Sequence, residues 1–362
     1  MRVVCFVLFS ICISFGPADG QSGRYANYSE SGPKSARTIP TEIAKTDPAR
    51  SRKDDTDVIR VESDLVTIPV RITGGGGRPI TDIRQNEFKV FENGVEQEIA
   101  LFSSEDQPFT VALVLDMSYS SVFRLEDIQR AAFTFVKQLK PDDRIMVVSF
   151  DGKPHILCEA TADRRVLQLA IEGAKIGSGT AVYDTFGLLL NEKLGAFGGR
   201  KAVVLLSDGV DTSSRLITPP EIIKELEARD VIVYPLRYDT YDDVQKSRRN
   251  DAQVQYDDND RPYIVEQPQK KGERPVDYEE AREFLNLMAG TTGGRVYRVG
   301  TTTNLDKAFA DIANELRKIY SLGYYPYDDR MPGRSYEIRV RVYRPGLTIT
   351  TRDRYVGQSK QK

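Results

Sequence analysis

From Phe109 onward the chain alternates short apolar runs with stretches of three-and-four periodicity, and this alternation leaves few folds open. Buried strands are expected at Val111 to Leu115, Arg144 to Phe150, Ala202 to Leu206 and Val231 to Leu236. Between them Leu125, Ile128, Ala132, Phe135, Val136 and Leu139 recur at helical spacing until Pro141 forbids continuation. Thr218-Pro219-Pro220-Glu221 reads as a capping box with proline in the first turn, and Asp277 with Glu280 as a further helix start. Leu305, Ala308, Phe309, Ile312, Leu316 and Ile319 form the apolar stripe of a last helix. Strand and helix in turn imply an α/β fold with a doubly wound, mostly parallel sheet.

Both flanks of this region switch to a period of two. Val66, Ile68, Val70 and Ile72 share one strand face, and Asn93-Gly94 joins two alternating runs as a hairpin. The glycine run Gly74 to Gly77 lacks the Lys-Ser/Thr of a phosphate loop and reads as a turn. Tyr336, Ile338, Val340 and Val342, then Leu347 and Ile349, alternate after the last helix. Neither flank is long enough for a stable sheet alone. The expected architecture is therefore a small β-sandwich-like module built from residues 58–106 and 323–357, with the α/β domain, 107–322, inserted between its halves.

Residues 239–276 interrupt the α/β pattern with Asp, Gln, Lys, Arg and Tyr, too long for an ordinary connection. They read as an exposed insertion, either a partner-binding arm or a solvated loop. At the amino terminus, Met1-Arg2, the apolar stretch Val3 to Phe15 and the small residues Ala18 and Gly20 have the form of a secretory signal, residues 1–20. An uncleaved anchor is the alternative, although the run is shorter than the roughly 20 residues of a membrane span. Residues 21–57 read as a disordered linker and 358–362 as a tail. The expectation is an exported protein, periplasmic or at the cell surface, with no membrane span after signal cleavage. Cys5 and Cys12 fall within the signal, so Cys158 is the one cysteine of the mature chain and no intramolecular disulfide can form. A formal net charge of -2 sets up no field for nucleic acid or an anionic membrane.

Asp116-Met117-Ser118-Tyr119-Ser120 ends the first apolar run of the α/β region, gathering one carboxylate and two hydroxyls at a strand's carboxyl end. Ligands dock there in open α/β sheets, and hard cations favour oxygen ligands. Gly177-Ser178-Gly179-Thr180 places a further hydroxyl in a glycine-bearing loop, and Leu205-Leu206-Ser207-Asp208 puts a second carboxylate at another strand end. In order and context these five positions resemble the von Willebrand factor type A domain and its metal-ion-dependent adhesion site. Tyr119 stands where that family commonly has glycine, although the related integrin β-subunit domains carry Asp-Leu-Ser-Tyr-Ser. With Phe88 to Val95 and Leu322-Gly323-Tyr324-Tyr325-Pro326, the layout is similar to the VWFA-related proteins first grouped in acidobacteria.

The resemblance implies that Ser118, Ser120 and, in the ligand-ready state, Thr180 coordinate a divalent metal directly, with Asp116 and Asp208 acting through waters. The metal would be Mg²⁺, with Mn²⁺ or Ca²⁺ as alternatives. Its open coordination position would receive an Asp or Glu carboxylate from a partner protein, and in integrin-type switching the last helix, here Leu305 to Tyr320, moves. The leading expectation is a non-enzymatic adhesion or scaffolding module. A metal-dependent hydrolase is the competing class, weakened because His155 is the one histidine and no nucleophile stands beside a base. A structural envelope protein stabilised by its metal is the third.

Overall fold

The amino-terminal alternation becomes four strands, β1 (Val66–Thr73), β2 (Phe88–Glu92), β3 (Val95–Gln97) and β4 (Leu101–Ser103). The computed structural model from which they are read describes residues 65–75, 78–104, 107–119, 125–250, 253–256, 258–259, 261–265, 267–300, 302–328 and 330–357. The expected signal, linker and tail, and the candidate ligand Ser120, lie outside the described residues. Along β1 every second residue is buried, with Ile68 and Val70 at 0% exposure. Asn93 (φ 46°) and Gly94 (φ 83°) both take the left-handed backbone that a tight two-residue hairpin between β2 and β3 requires.

The α/β region follows as β5 (Phe109–Asp116), α1 (Leu125–Gln138), β6 (Arg144–Phe150), β7 (Pro154–Thr161), α2 (Arg164–Glu172), α3 (Val182–Leu188), β8 (Arg200–Leu206), α4 (Pro219–Glu227) and β9 (Ile232–Arg237). Then come α5 (Tyr241–Asn250), β10 (Gln253–Tyr256), β11 (Pro262–Val265), α6 (Pro275–Thr292), β12 (Tyr297–Arg298) and α7 (Thr302–Arg317). Six strands make one sheet in the order β12-β9-β8-β5-β6-β7, parallel except for the edge strand β7. Its two faces are read from alternate residues. Val111, Leu113 and Leu115 pack with α1, α2 and α7. Ala112 and Val114 pack with α3, α4 and α6. The sheet is therefore doubly wound, and each fully buried aliphatic side chain contributes roughly 1.5–3 kcal/mol.

Helix starts follow local chemistry. Thr218 N donates to Glu221 Oε2 at 2.8 Å, the expected capping box of α4. The start read at Asp277 lies two residues earlier, at Pro275, so Asp277 is the third helical residue. Its carboxylate accepts from Arg274 N at 3.1 Å, and Glu280 takes no part in that cap. The last helix ends at Arg317, and Tyr320 opens the next strand. The insertion, 239–276, holds α5 and the antiparallel hairpin of β10 and β11.

The carboxyl-terminal flank forms β13 (Tyr320–Tyr324), β14 (Ser335–Val342), β15 (Thr348–Thr350) and β16 (Arg354–Val356). These strands pair with those of the other flank, giving two antiparallel sheets ordered β15-β1-β13-β4 and β16-β14-β2-β3. One apolar core, from Val66, Ile68 and Val90 to Tyr320, Leu322 and Ile338, lies between them. The module is thus built from both flanks with the doubly wound domain inserted. Tyr320 and Tyr324 belong to this core, whereas Tyr325 and Tyr327 are exposed.

Candidate functional site

The order of the central sheet brings the carboxyl ends of β5 and β8 together. Leu115 pairs with Leu206, so Asp116 and the Ser207-Asp208 pair leave adjacent strands. The chain runs from β5 to β6 on one side and later returns to β8 on the other, which makes this gap the topological switch point where ligands dock.

Three loops are stitched together over the gap. Met117 N donates to Phe150 O at 2.8 Å, and Gly177 N donates to Met117 O at 2.8 Å. Thr212 N and Ser213 N both donate to Thr180 O, while Thr180 N donates to Thr212 Oγ1 at 2.9 Å. Gly179 permits this stitching, because at φ 81° a Cβ would lie 2.3 Å from Ser213 Oγ. With its backbone so occupied, Thr180 Oγ1 has no protein partner among the described residues.

Asp116 lies at the floor with 0% exposure. Its Oδ1 accepts from Ser118 N at 3.0 Å and its Oδ2 from Ser207 Oγ at 2.5 Å. The Ser118 hydroxyl also donates to it. Asp208, 5% exposed, accepts at Oδ1 from Val210 N at 2.9 Å and at Oδ2 from Thr240 Oγ1. Burial raises both carboxyls above the ordinary carboxylate range. Burial, then the neighbouring Asp116 charge, pushes Asp208 up to about 7. Among the described residues no Lys, Arg or His forms an ion pair with either carboxylate.

Ser118, Thr180 and Asp208 open onto a cavity of about 490 Å³, with Asp116 beneath. Two buried carboxylates without a cation, beside two hydroxyls, form an oxygen donor set that fits a hard divalent ion. No three His, Cys, Asp or Glu side chains cluster at a metal-holding spacing among the described residues, as expected when hydroxyls make up half the donors. Asp116, Ser118, Thr180 and Asp208 are the described residues that would hold such an ion. When bound, it would supply a positive centre able to take an anionic ligand.

Ser207 and Thr240, which anchor the two carboxylates, were not predicted from the sequence. Their partners stand 91 and 32 positions away, so only a hydroxyl next to each strand end could have pointed to them. His155 accompanies Asp151, with Nε2 to Oδ1 at 3.0 Å, rather than any nucleophile. Cys158 is half-buried with its thiol pushed up by burial.

Residues 111–210 match the family model described as the von Willebrand factor type A domain, and all five expected site positions fall within that span. Among curated proteins none matches the chain. Similar solved structures include an aerotolerance-related membrane protein from Bacteroides fragilis, 16% identical, covering 58% of this chain and 99% of that one, with a TM-score of 0.40. A von Willebrand factor type A structure from Catenulispora acidiphila is 11% identical, covers 82% and 74% respectively, and has a TM-score of 0.41. Proximal thread matrix protein 1 from the mussel byssus, solved with a zinc-occupied MIDAS motif, is 14% identical, covers 63% and 50%, and has a TM-score of 0.42. Likenesses this loose say nothing of this chain's ligand. Over residues 111–210 the chain is thus similar to the von Willebrand factor type A domain, and the doubly wound sheet described above is the fold that this match implies.

Proposed function

We propose that this chain is an exported, non-catalytic binding module that recognises an acidic residue of a partner protein through a divalent cation. The cation is Mg²⁺, with Mn²⁺ or Ca²⁺ able to replace it, held by Asp116, Ser118, Ser120, Thr180 and Asp208. The module serves adhesion or scaffolding at the cell envelope. One observation carries the reading: two buried carboxylates accompany the Thr180 hydroxyl at a cavity, and among the described residues neither carboxylate has a basic partner and that hydroxyl has no protein partner. Neutral hydroxyls leave the cation's charge incompletely satisfied, so an incoming carboxylate completes the shell.

The reading has a direct test. Thermal unfolding of the protein freed of metal with EDTA is compared with the same protein in MgCl₂. Binding to the folded state adds about 2.7 kcal/mol at a hundredfold excess over Kd. The melting temperature should therefore rise with MgCl₂, and Asp116→Ala should abolish the rise. Capture of envelope proteins on the immobilised chain should likewise need MgCl₂ and Asp116. Equal capture in EDTA and in MgCl₂ would remove the metal from recognition.

A further inference from the structure

The insertion that interrupts the α/β pattern forms a wall of the site. Near its start stands Thr240, whose hydroxyl donates to Asp208 and also lies 3.1 Å from Tyr278 Oη. Tyr241 stacks edge-on against Tyr278 at 5.2 Å. From the other end, residues 270–273 return over the Val210 to Thr212 loop. Gly272 approaches so closely that a Cβ there would meet Thr212 Cγ2 at 2.7 Å, and its φ of 91° excludes most other residues. Gly272 N donates to Asp277 Oδ2 at 2.8 Å, and Gln245 Nε2 to Glu273 O at 2.7 Å, so the wall is tied both to α6 and to α5.

The charged residues of the insertion that line the cavity are paired, with one exception among the described residues. Arg248 Nε meets Glu273 Oε2 at 3.1 Å, Asp243 meets Lys246 at 3.9 Å, and Lys271 meets Asp211 at 3.6 Å. Lys270 lines the same cavity as Ser118, Thr180 and Asp208, yet its ammonium pairs with no carboxylate among the described residues. A volume of about 490 Å³ is also far more than one carboxylate fills, and lies within the roughly 300–1,000 Å³ of ligand pockets.

Resting on the function proposed above, we infer that the ligand is a doubly acidic peptide segment: one carboxylate meets the cation, and a second, on a nearby residue, meets Lys270. Residues two apart in an extended peptide face the same side, about 6.5–7 Å from one another, so an Asp-x-Asp segment presents both groups to one cavity. The insertion thereby becomes the specificity-determining wall, and Lys270 its selecting residue.

The test uses amidated, acetylated peptides Gly-Asp-Gly-Asp-Gly and Gly-Asp-Gly-Asn-Gly, titrated into the full chain in MgCl₂ and in EDTA. The doubly acidic peptide should bind about 2- to 5-fold more tightly, the range of a solvent-facing ion pair, with the margin shrinking as salt rises. Lys270→Gln should erase that margin while leaving Mg²⁺-dependent stabilisation unchanged. Lys270→Glu should reverse it toward Gly-Asp-Gly-Lys-Gly, a change that a merely structural lysine would not produce. An unaltered margin in Lys270→Gln overturns the inference and leaves the metal reading standing. A Lys270-dependent margin that persists in EDTA upholds the subsite and sinks the metal reading. Binding of neither peptide in MgCl₂ overturns both.

Discussion

Asp277 is the side chain on which the insertion's return to the sheet turns. Its Oδ2 accepts from Gly272 N and Arg274 N, and the Arg274 guanidinium pairs with the same carboxylate. The Arg274 hydrogen bond holds its carboxyl below the ordinary value of 3.8. A depressed carboxyl contributes stability in full above its unfolded value and loses it as pH falls through its folded one. Asp277→Asn should therefore cost about 1 kcal/mol at neutral pH, as loss of a helix cap does, and the cost should shrink as pH falls below 3.8 toward the depressed folded value. Thermal melts across that range check the sign; a constant deficit at every pH would mean that packing rather than charge is at stake. Gly272→Ala adds a second residue-scale expectation. The loop must back away from Thr212, and melts should show a loss of at least about 1 kcal/mol. Asp116, Ser118, Thr180 and Asp208 were legible because each follows an apolar strand or a glycine turn within a few positions. Ser207 and Thr240 were not, since their roles exist only once strand ends far apart in sequence become neighbours.

At the scale of elements, α7 is the one that family resemblance makes mobile, yet its end is pinned here. Arg200, at the start of β8, donates to the carbonyls of Leu316, Arg317 and Ile319. Arg317 pairs with Asp143 at 2.9 Å, and Arg71 of β1 reaches Glu315 at 2.6 Å. Just two residues, Lys318 and Ile319, separate α7 from β13. Amide exchange across the last two turns of α7 should thus be the same in MgCl₂ and in EDTA, and faster exchange with metal would show the helix moving. Arg200→Ala should destabilise by about 2–3 kcal/mol, because three helix-end carbonyls lose a charged donor. Most elements could be read from apolar period alone. Among those not read, α5 buries none of its residues and so has no stripe. Its acidic first turn, Asp242 and Asp243, and basic last turn, Arg248 and Arg249, were the available signal.

For the whole molecule, the question is what holds two flanks more than two hundred residues apart in one module. Backbone pairing of β2 with β14 and of β1 with β13 does much of it. Glu92, 5% exposed on β2, adds a polar centre: Tyr324 Oη donates to it at 2.6 Å, Tyr355 Oη at 2.8 Å, and Arg330 pairs with it. All three partners come from the other flank. Glu92→Ala strands a part-buried guanidinium and two buried hydroxyls, and should cost about 3 kcal/mol in urea unfolding. A loss below about 1 kcal/mol would leave the module to apolar packing alone. Among the described residues no helix is long and apolar enough to cross a membrane.

The sequence by itself determined the periods, and with them the strands, the doubly wound sheet and the order of the oxygen-bearing loops, because side-chain alternation is a local property of the backbone. The matched alternation of the flanks was enough to imply one module. Only the tertiary structure decided which hydroxyl serves which carboxylate, that the polar insertion closes over the site, and that Lys270 faces the same cavity as Thr180. Helix α5 of the insertion buries none of its residues, so no apolar stripe announces the insertion's docking. It is held by hydrogen bonds, ion pairs and one close glycine approach, and such contacts depend on groups meeting across the fold rather than on any pattern along the chain.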